Sequence, residues 1–334
     1  MSFTLDRGPQ VSLDTPRGGP LSVAMLAPPW ITVPPAGYGG VEAVVADLTD
    51  ALVDRGHDVT LFCAPGSRSR AKVVALLDAT HPREIERSLY NQLTAAQDPG
   101  SGDWCYYTPL EGVKHNDKEI TCCHSSGPRA LALAPTLAYL EAGNVICVNT
   151  LETSRARFQV GGRAVEIGQE SQFPFAGRST LTLRAPSTAR FTLKIRAPAW
   201  AEPLRVGNAS SRDGWITMPE RDWRDGDQVT ITFNLGGRVI HGDFTNYSRV
   251  AYAWGPYVLA FDDGLNREYG ASGAPQFVRV IDDRLPTLAP DPHRIILHVA
   301  VRGEWDVNPH QVTLVPFAEA GAGGQPYAVW LRAP

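Results

Sequence analysis

The 334-residue chain has a net charge of −4, with 43% apolar and 20% charged residues. These values are typical of a folded globular protein, and without a Lys/Arg block they argue against nucleic acid and against an anionic membrane surface as partners. The first twenty residues lack the apolar run of a secretory signal, and no stretch of about 18 apolar residues occurs. We therefore expect a cytoplasmic protein without a membrane span.

Residues 1–20 are predicted to be a disordered N-terminus, and residues 21–70 a short βαβ piece. The apolar run Leu21–Pro28 predicts a strand buried on both faces of a parallel sheet, and Asp58–Pro65 predicts a second strand parallel to it. The intervening segment has helical periodicity. Its apolar positions, which we expect on one face, are Val41, Val44, Val45, Leu48, Ala51 and Leu52.

The segment PPWITVPPAGYGGVE, followed by RGHDVTLF, joins the first predicted strand to the second. Glycines at a helix N-terminus let the backbone approach a phosphate, and the helix dipole favours that negative charge. With Gly37, Gly39, Gly40 and Glu42, the segment resembles the opening of family 4 glycosyltransferases of the GT-B fold. The resemblance ends near Ser67, before any donor-binding domain, so a purely structural βαβ unit remains the alternative.

A lone βαβ unit leaves apolar surface uncovered. We therefore predict that this piece either pairs with another chain, as in a homo-oligomer, or is poorly ordered.

Residues 71–144 are predicted to be helical. The run that begins at Val73 is interrupted near Pro82 and continues with an Ile85, Leu89 and Leu93 stripe. A second helix is predicted over Gly127–Ala142, kinked at Pro135. Residues 145–334 show short apolar or alternating runs separated by Gly, Pro and Asp turns, which is typical of an antiparallel β-sandwich.

Several blocks in this second part share one resemblance. They are ERSLYNQL (Glu86–Leu93), YYTPLEG (Tyr106–Gly112), TCCHSSGPRAL (Thr121–Leu131), FTLKIRAPAW (Phe191–Trp200), RDWRDGDQVTI (Arg221–Ile231), AYAWGPYVLAFDD (Ala251–Asp263), LVPFAEA and YAVWL (Tyr327–Leu331). In this order, residues 81–334 resemble the C-terminal half of glycoside hydrolase family 127, the zinc-dependent β-L-arabinofuranosidases.

The resemblance implies an (α/α)₆ catalytic barrel followed by β-sandwich domains. The resemblance begins near the last barrel helices, so we expect a chain truncated relative to the family. The predicted fold class is accordingly α+β: a βαβ piece, a few helices left from the barrel in residues 71–144, and β-sandwich in residues 145–334.

Adjacent thiols such as Cys122 and Cys123 suit coordination of a soft metal. The resemblance implies that Cys122 is the nucleophile of a retaining hydrolase, and that Cys122 and Cys123 bind zinc. Retention also needs a carboxylate as acid and base. The family takes it from the upstream barrel, together with a Glu-x-Cys pair of zinc ligands, and no Glu-x-Cys occurs in this chain.

Local substitutes are available for the missing groups. Cys105 is a candidate third sulfur, and His124 or His115 a candidate nitrogen ligand. Glu111 or Glu119 is the candidate acid/base. The alternatives are that Cys105 is a buried apolar residue and that the two histidines are surface polar residues.

Three residues are candidates for substrate binding: Arg129, Tyr107 and His124. Arg129 fits the family pattern and would hold a sugar hydroxyl or carboxylate, or else pack a helix against the sandwich. Aromatic residues such as Tyr107 would stack on sugar rings, or else belong to the core.

Three functions are consistent with this sequence. The first is a zinc-dependent glycoside hydrolase of the β-L-arabinofuranosidase type. The second is a non-catalytic, carbohydrate-associated sandwich module, and the third is a remnant of a glycosyltransferase. In the first two the expected partner is carbohydrate.

Overall fold

The computed structural model describes residues 19–27, 31–37, 39–75, 85–115, 121–267, 278–282, 287–288, 291, 293–303 and 308–334. The chain divides into two compact units, residues 1–82 and residues 83–334. Almost all of the predicted disordered N-terminus, residues 1–20, lies outside the described residues.

In the first unit, strand β1 (Ser22–Leu26), helix α1 (Gly40–Asp54), strand β2 (Asp58–Cys63) and strand β3 (Lys72–Ala75) follow one another. The strands form a parallel sheet in the order β1-β2-β3. The predicted βαβ order is therefore observed. The helix predicted to begin at Val73 is wrong, because these β-branched residues extend the sheet by pairing with β2.

The burial predicted for this unit is only partly observed. Strand β1 alternates between exposed and half-buried residues, and Leu26 is 71% exposed. Helix α1 turns Glu42, Val45 and Thr49 inward, whereas Val44 is 65% exposed. Strand β1 is thus not buried on both faces. Of the apolar face predicted for α1, Val45 is buried and Ala51 and Leu52 are half-buried, whereas Val41, Val44 and Leu48 are exposed.

The second unit begins with a helical segment, α2 (Ile85–Arg87), which continues as a π-helical turn over Ser88–Leu93. Strand β4 (Glu111–Gly112) and helix α3 (Thr121–Leu133) follow, and a 3₁₀ turn over Ala134–Leu137 ends α3. The helix predicted to reach Ala142 is wrong. Beyond Pro135 the chain is strand β5 (Tyr139–Ala142), which forms a hairpin with β6 (Val145–Val148).

A β-sandwich follows. Its further strands are β7 (Ser154–Val160), β8 (Arg163–Ser171), β9 (Arg178–Arg184), β10 (Ala189–Arg196), β11 (Leu204–Val206), β12 (Ala209–Ser210), β13 (Trp215–Trp223) and β14 (Gln228–Phe233). One sheet has the order β13-β10-β6-β5 and the other β12-β11-β14-β9-β8-β7. Residues of both sheets share one apolar core, which includes Phe191, Trp223, Ile167 and Leu181. The pairing is antiparallel except between β6 and β10, which run parallel.

The remaining strands form a second β body. They are β15 (Gly237–His241), β16 (Arg249–Trp254), β17 (Tyr257–Asp262), β18 (Val278–Val280), β19 (Thr287–Leu288), β20 (Leu297–Gly303), β21 (His310–Pro316), β22 (Tyr327–Ala328) and β23 (Leu331–Arg332). The pairing runs β16-β23-β18-β20-β21-β17 and returns from β17 to β16. The pairings of these six strands therefore form a closed ring, in which β17 and β23 both pair with the same edge of β16. The sandwich predicted for this part of the chain stays a prediction.

Candidate functional site

Cys122 and Cys123 lie in the first turn of α3. Their sulfurs are 3.8 Å apart, Cys122 is exposed and Cys123 is half-buried. Burial raises the pKa of the Cys123 thiol, and the hydrogen bond and charge of Cys122 raise it further. In a tetrahedral zinc site, Zn–S bonds of about 2.3 Å place two sulfurs roughly 3.8 Å apart. The spacing of the two thiols therefore suits two ligands of one zinc ion.

The segment Asp103–Cys105 packs against the same turn of α3. His124 Nε2 lies 3.5 Å from Asp103 Oδ1. The Trp104 side chain covers Gly127, and its indole lies where a Cβ on Gly127 would stand, at 2.3 Å. Cys105 is buried, and burial raises the pKa of its thiol. Cys105 is thus buried, and His124 lies beside the segment that carries it.

The described residues do not form a complete metal site. Across the described ranges, no three His, Cys, Asp or Glu side chains are grouped closely enough to hold a metal ion. Cys122 and Cys123 therefore supply at most two of the four ligands that a structural or catalytic zinc needs. The zinc site, with Cys105 as third ligand, stays a prediction.

The other candidate residues are spread over the second unit. Glu111 lies on β4, and its Oε2 is 2.9 Å from Nη1 of Arg249 on β16. Arg129 is exposed on α3, and His115 is exposed after β4. Tyr107 is 71% exposed and so available for stacking, not part of the core. Glu119 lies outside the described residues.

Sequence reasoning missed a buried polar junction between α2 and the sandwich. Glu86 is 1% exposed and forms an ion pair with Arg196, which is 4% exposed. Trp200 Nε1 donates to Glu86 Oε2 at 3.4 Å, and Arg196 Nε donates to the Asn149 carbonyl at 2.5 Å. Burial raises the pKa of Glu86, and Arg196 opposes this shift without cancelling it.

The same helical segment is also anchored to the strand ring. The Asn91 side chain donates to the Pro256 carbonyl at 2.9 Å and accepts from the Val258 N–H at 2.7 Å. The Tyr90 ring lies 4.9 Å from that of Tyr257. Three blocks that carry the family resemblance, Glu86–Leu93, Phe191–Trp200 and Ala251–Asp263, therefore meet in one anchoring junction. The signal in the sequence was Arg196, a charged residue that ends the alternating apolar strand β10.

A glutamate of helix α1 lies beside the glycine-rich turn of the first unit. Glu42 is 4% exposed in the first turn of α1. A Cβ on Gly39 would stand 3.0 Å from Glu42 Oε2 and 2.8 Å from the Pro35 side chain. A negative charge near a helix N-terminus is stabilised by the dipole, and Glu42 lies in that first turn.

An open pocket of about 410 Å³ lies on the sandwich, between the β7–β8 hairpin and the ends of β9 and β13. Arg157, Glu166 and Arg184 stand side by side on three neighbouring strands of its wall. Arg157 Nε lies 2.8 Å from Glu166 Oε2 and, through this hydrogen bond and its charge, lowers the pKa of Glu166. The wall of the pocket therefore carries one anionic side chain between two cationic ones, on paired positions of neighbouring strands.

Comparisons with known proteins bear on the second unit. Residues 77–135 match the model of the β-L-arabinofuranosidase GH127 catalytic domain, and residues 145–235 match that of the GH127 middle domain. No curated protein matches the sequence. The middle-domain match coincides with the β-sandwich. Both matched segments begin at or after residue 77, so the glycosyltransferase-like opening stays a prediction.

Three solved structures show the same fold. One is a GH127 β-L-arabinofuranosidase from Geobacillus stearothermophilus T6, with a TM-score of 0.63 and 19% identity over 75% of this chain and 46% of that one. A second GH127 β-arabinofuranosidase gives 0.65 and 19%, over 75% and 45%. A structure described as a glycoside hydrolase gives 0.64 and 16%, over 75% and 48%.

The chain thus spans a little under half the length of these relatives. It carries GH127 arabinofuranosidase-like domains. Among the helices that the structure describes, none is long and apolar enough to cross a membrane.

Proposed function

We propose that the chain acts on furanosides as a retaining β-L-arabinofuranosidase-type hydrolase, with Cys122 as nucleophile. The observation that carries this proposal is an exposed thiol, 3.8 Å from a second thiol, inside a segment that matches the GH127 catalytic domain. The Cys122 sulfur would attack the anomeric carbon and displace the leaving alcohol. Water would then hydrolyse the thioglycoside with a second inversion, giving net retention.

Zinc would be held by Cys122 and Cys123, whose sulfur spacing suits it. Bound there, the metal would keep a neighbouring thiol in its nucleophilic thiolate form. The remaining ligands would come from residues outside the described ranges, or from Cys105 after a rearrangement of the first turn of α3. Elemental analysis of protein purified without added metal would give close to one zinc per chain, and the Cys123→Ser variant would lose it.

The proton donor would be Glu111 or Glu119. Glu111 is engaged by Arg249 and lies on a strand, whereas Glu119 is two residues before α3 and so close to Cys122 in sequence. We therefore favour Glu119. If this is right, Glu119→Gln will slow hydrolysis of a substrate with a poor leaving group by about 10²–10⁴-fold and Glu111→Gln will not.

The decisive experiment is release of the chromophore from an aryl β-L-arabinofuranoside by the full chain. Activity that is lost in Cys122→Ser and retained in Cys147→Ser supports the proposal, since Cys147 is a half-buried thiol on β6, outside the segment that matches the catalytic domain. Equal activity in the two variants, or activity that persists when Cys122 and Cys147 are both replaced, contradicts it.

A second candidate function is a carbohydrate-associated module without catalysis. It is favoured by one observation: the sandwich has a complete apolar core and an open pocket of its own, lined by Arg157, Glu166 and Arg184. Binding of arabinan fragments that is unaffected by Cys122→Ser and abolished by Arg184→Gln would favour this module over the hydrolase.

A further inference from the structure

Two consecutive residues of one segment face two residues of one helix. Asp103 contacts His124, and Trp104 covers Gly127. Residues 124 and 127 share one face of α3, because side chains three positions apart lie above one another on a helix. The segment Asp103–Cys105 therefore docks on this face and leaves Cys122 turned toward solvent.

The docking segment is itself held by backbone contacts. Trp104 forms a bridge with Gln97, and the Cys105 N–H donates to the Ala96 carbonyl at 2.7 Å. The Asp98 side chain closes the intervening loop by accepting from the N–H groups of Gly100 and Ser101, each at 2.8 Å. Trp104 is 3% exposed, so its ring has little freedom to move away from α3.

We propose that Trp104 and Gly127 form a positioning pair for the Cys122–Cys123 thiols. Gly127 is needed because only a residue without a Cβ lets the helix approach the indole. A methyl group there would stand 2.3 Å from two ring carbons of Trp104 and 2.6 Å from a third. Relief of this overlap requires the helix to distort between Gly127 and its first turn, which would change the direction of one thiol relative to the other. The inference rests on the proposed role of Cys122 and adds what sets its geometry.

Two glycines make a matched test. In a helix, alanine is ordinarily favoured over glycine, so Gly→Ala should be tolerated wherever space is open. Gly40 begins α1, and a Cβ placed on it would meet none of the described atoms within 4 Å, whereas a Cβ on Gly127 would meet the Trp104 ring. Gly40→Ala is therefore the control for Gly127→Ala, and neither substitution changes charge or removes a hydrogen-bonding group.

The readout is thiol geometry, measured on the full chain with two probes. Phenylarsine oxide binds two neighbouring thiols at once, whereas iodoacetamide alkylates a single thiol. The alkylation of Cys122 by iodoacetamide is followed by peptide mass spectrometry. We expect Gly127→Ala to weaken capture of the arsenical at least about tenfold while the alkylation rate at Cys122 changes less than about twofold. Gly40→Ala should leave both unchanged.

A second variant separates position from general destabilisation. Replacing the ring in the double variant Trp104→Leu/Gly127→Ala makes room for the methyl group and should restore arsenical capture toward the wild-type value. Undiminished capture in folded Gly127→Ala, or capture that stays lost in the double variant, would overturn the proposal. Both probes are applied after a chelator has removed any bound metal, and neither depends on hydrolysis. A chain without arabinofuranosidase activity can therefore still pass this test, and an active chain can fail it.

Discussion

The helical segment Ile85–Leu93 and helix α3 belong to the same unit and to the same family-like set of motifs, but they are held very differently. The first buries Glu86 and Asn91 against two β bodies. In the second, Gly127 is the sole buried residue among those whose burial the structure describes. Polar side chains inside a junction fix architecture, whereas the Cys122 thiol on a loosely covered helix is exposed to reagents in solution.

The two helical segments both carry motifs of the family resemblance, but these motifs have different roles. In the block around Glu86 and Asn91, these two side chains make the anchoring contacts. The block around Cys122 keeps an exposed thiol at the start of a helix. Substitutions in the two helices should therefore differ in kind: those in the first segment should cost stability, and those in α3 should change reactivity.

The largest effect is expected from Glu86→Ala, which leaves the Arg196 guanidinium buried without its partner. Removing one member of a buried ion pair typically costs about 3–5 kcal/mol. Urea denaturation followed by tryptophan fluorescence measures the loss in the free energy of unfolding. Glu170→Ala is the control, because this exposed glutamate on β8 should change stability by less than about 0.5 kcal/mol. Equal losses in the two variants would contradict the anchoring role.

Asn91→Ala should come next. The substitution removes the donor to the Pro256 carbonyl and the acceptor for the Val258 N–H, and groups left unpaired in a buried place cost about 1–3 kcal/mol. Asn91→Asp keeps the acceptor and loses the donor, so its unfolding free energy should fall between those of the wild type and the alanine variant. An aspartate variant less stable than the alanine variant would point to charge burial as the dominant effect.

Glu86 also predicts a pH dependence. Because burial raises the pKa of its carboxyl above the ordinary value of 4.5, the folded state holds this proton to a higher pH than the unfolded chain does. The associated stability is full below 4.5 and is lost as the pH rises through the folded pKa. The unfolding free energy of the wild type minus that of Glu86→Gln should therefore decrease with rising pH. An increase would mean that the ion pair with Arg196 outweighs burial.

The smallest effect is expected on α3. The Ser125 hydroxyl donates to the Cys122 carbonyl at 3.0 Å, but it is exposed and water can replace it. Ser125→Ala should change the free energy of unfolding by less than about 0.5 kcal/mol. A loss of about 2 kcal/mol or more would show that α3 is held as firmly as the segment before it, and would remove the contrast.

Periodicity predicted the parallel order of the first unit and the β-rich character of the second. It could not identify which face of α1 packs, because Val41, Val44 and Val45 are equally apolar and only tertiary contact selects Val45. It also extended a helix through residues 139–142, where the hairpin with β6 outweighs local propensity. The junction of Glu86, Arg196 and Asn149 joins residues 47 to 110 positions apart, which no local pattern encodes. Cys122 and Cys123 were identified because their adjacency is itself a local signal.

Closure of the six-stranded ring depends on its shortest member. Strand β23 pairs with β16 through two residue pairs, Arg249 with Arg332 and Val250 with Leu331, and with β18 through one. Under a pulling force applied to the C-terminal residues, β23 would be the first strand to detach, because three residue pairs hold it. Its loss would free backbone groups of Arg249 and Val250 on β16 and of Arg279 on β18, where a strand from another molecule could pair.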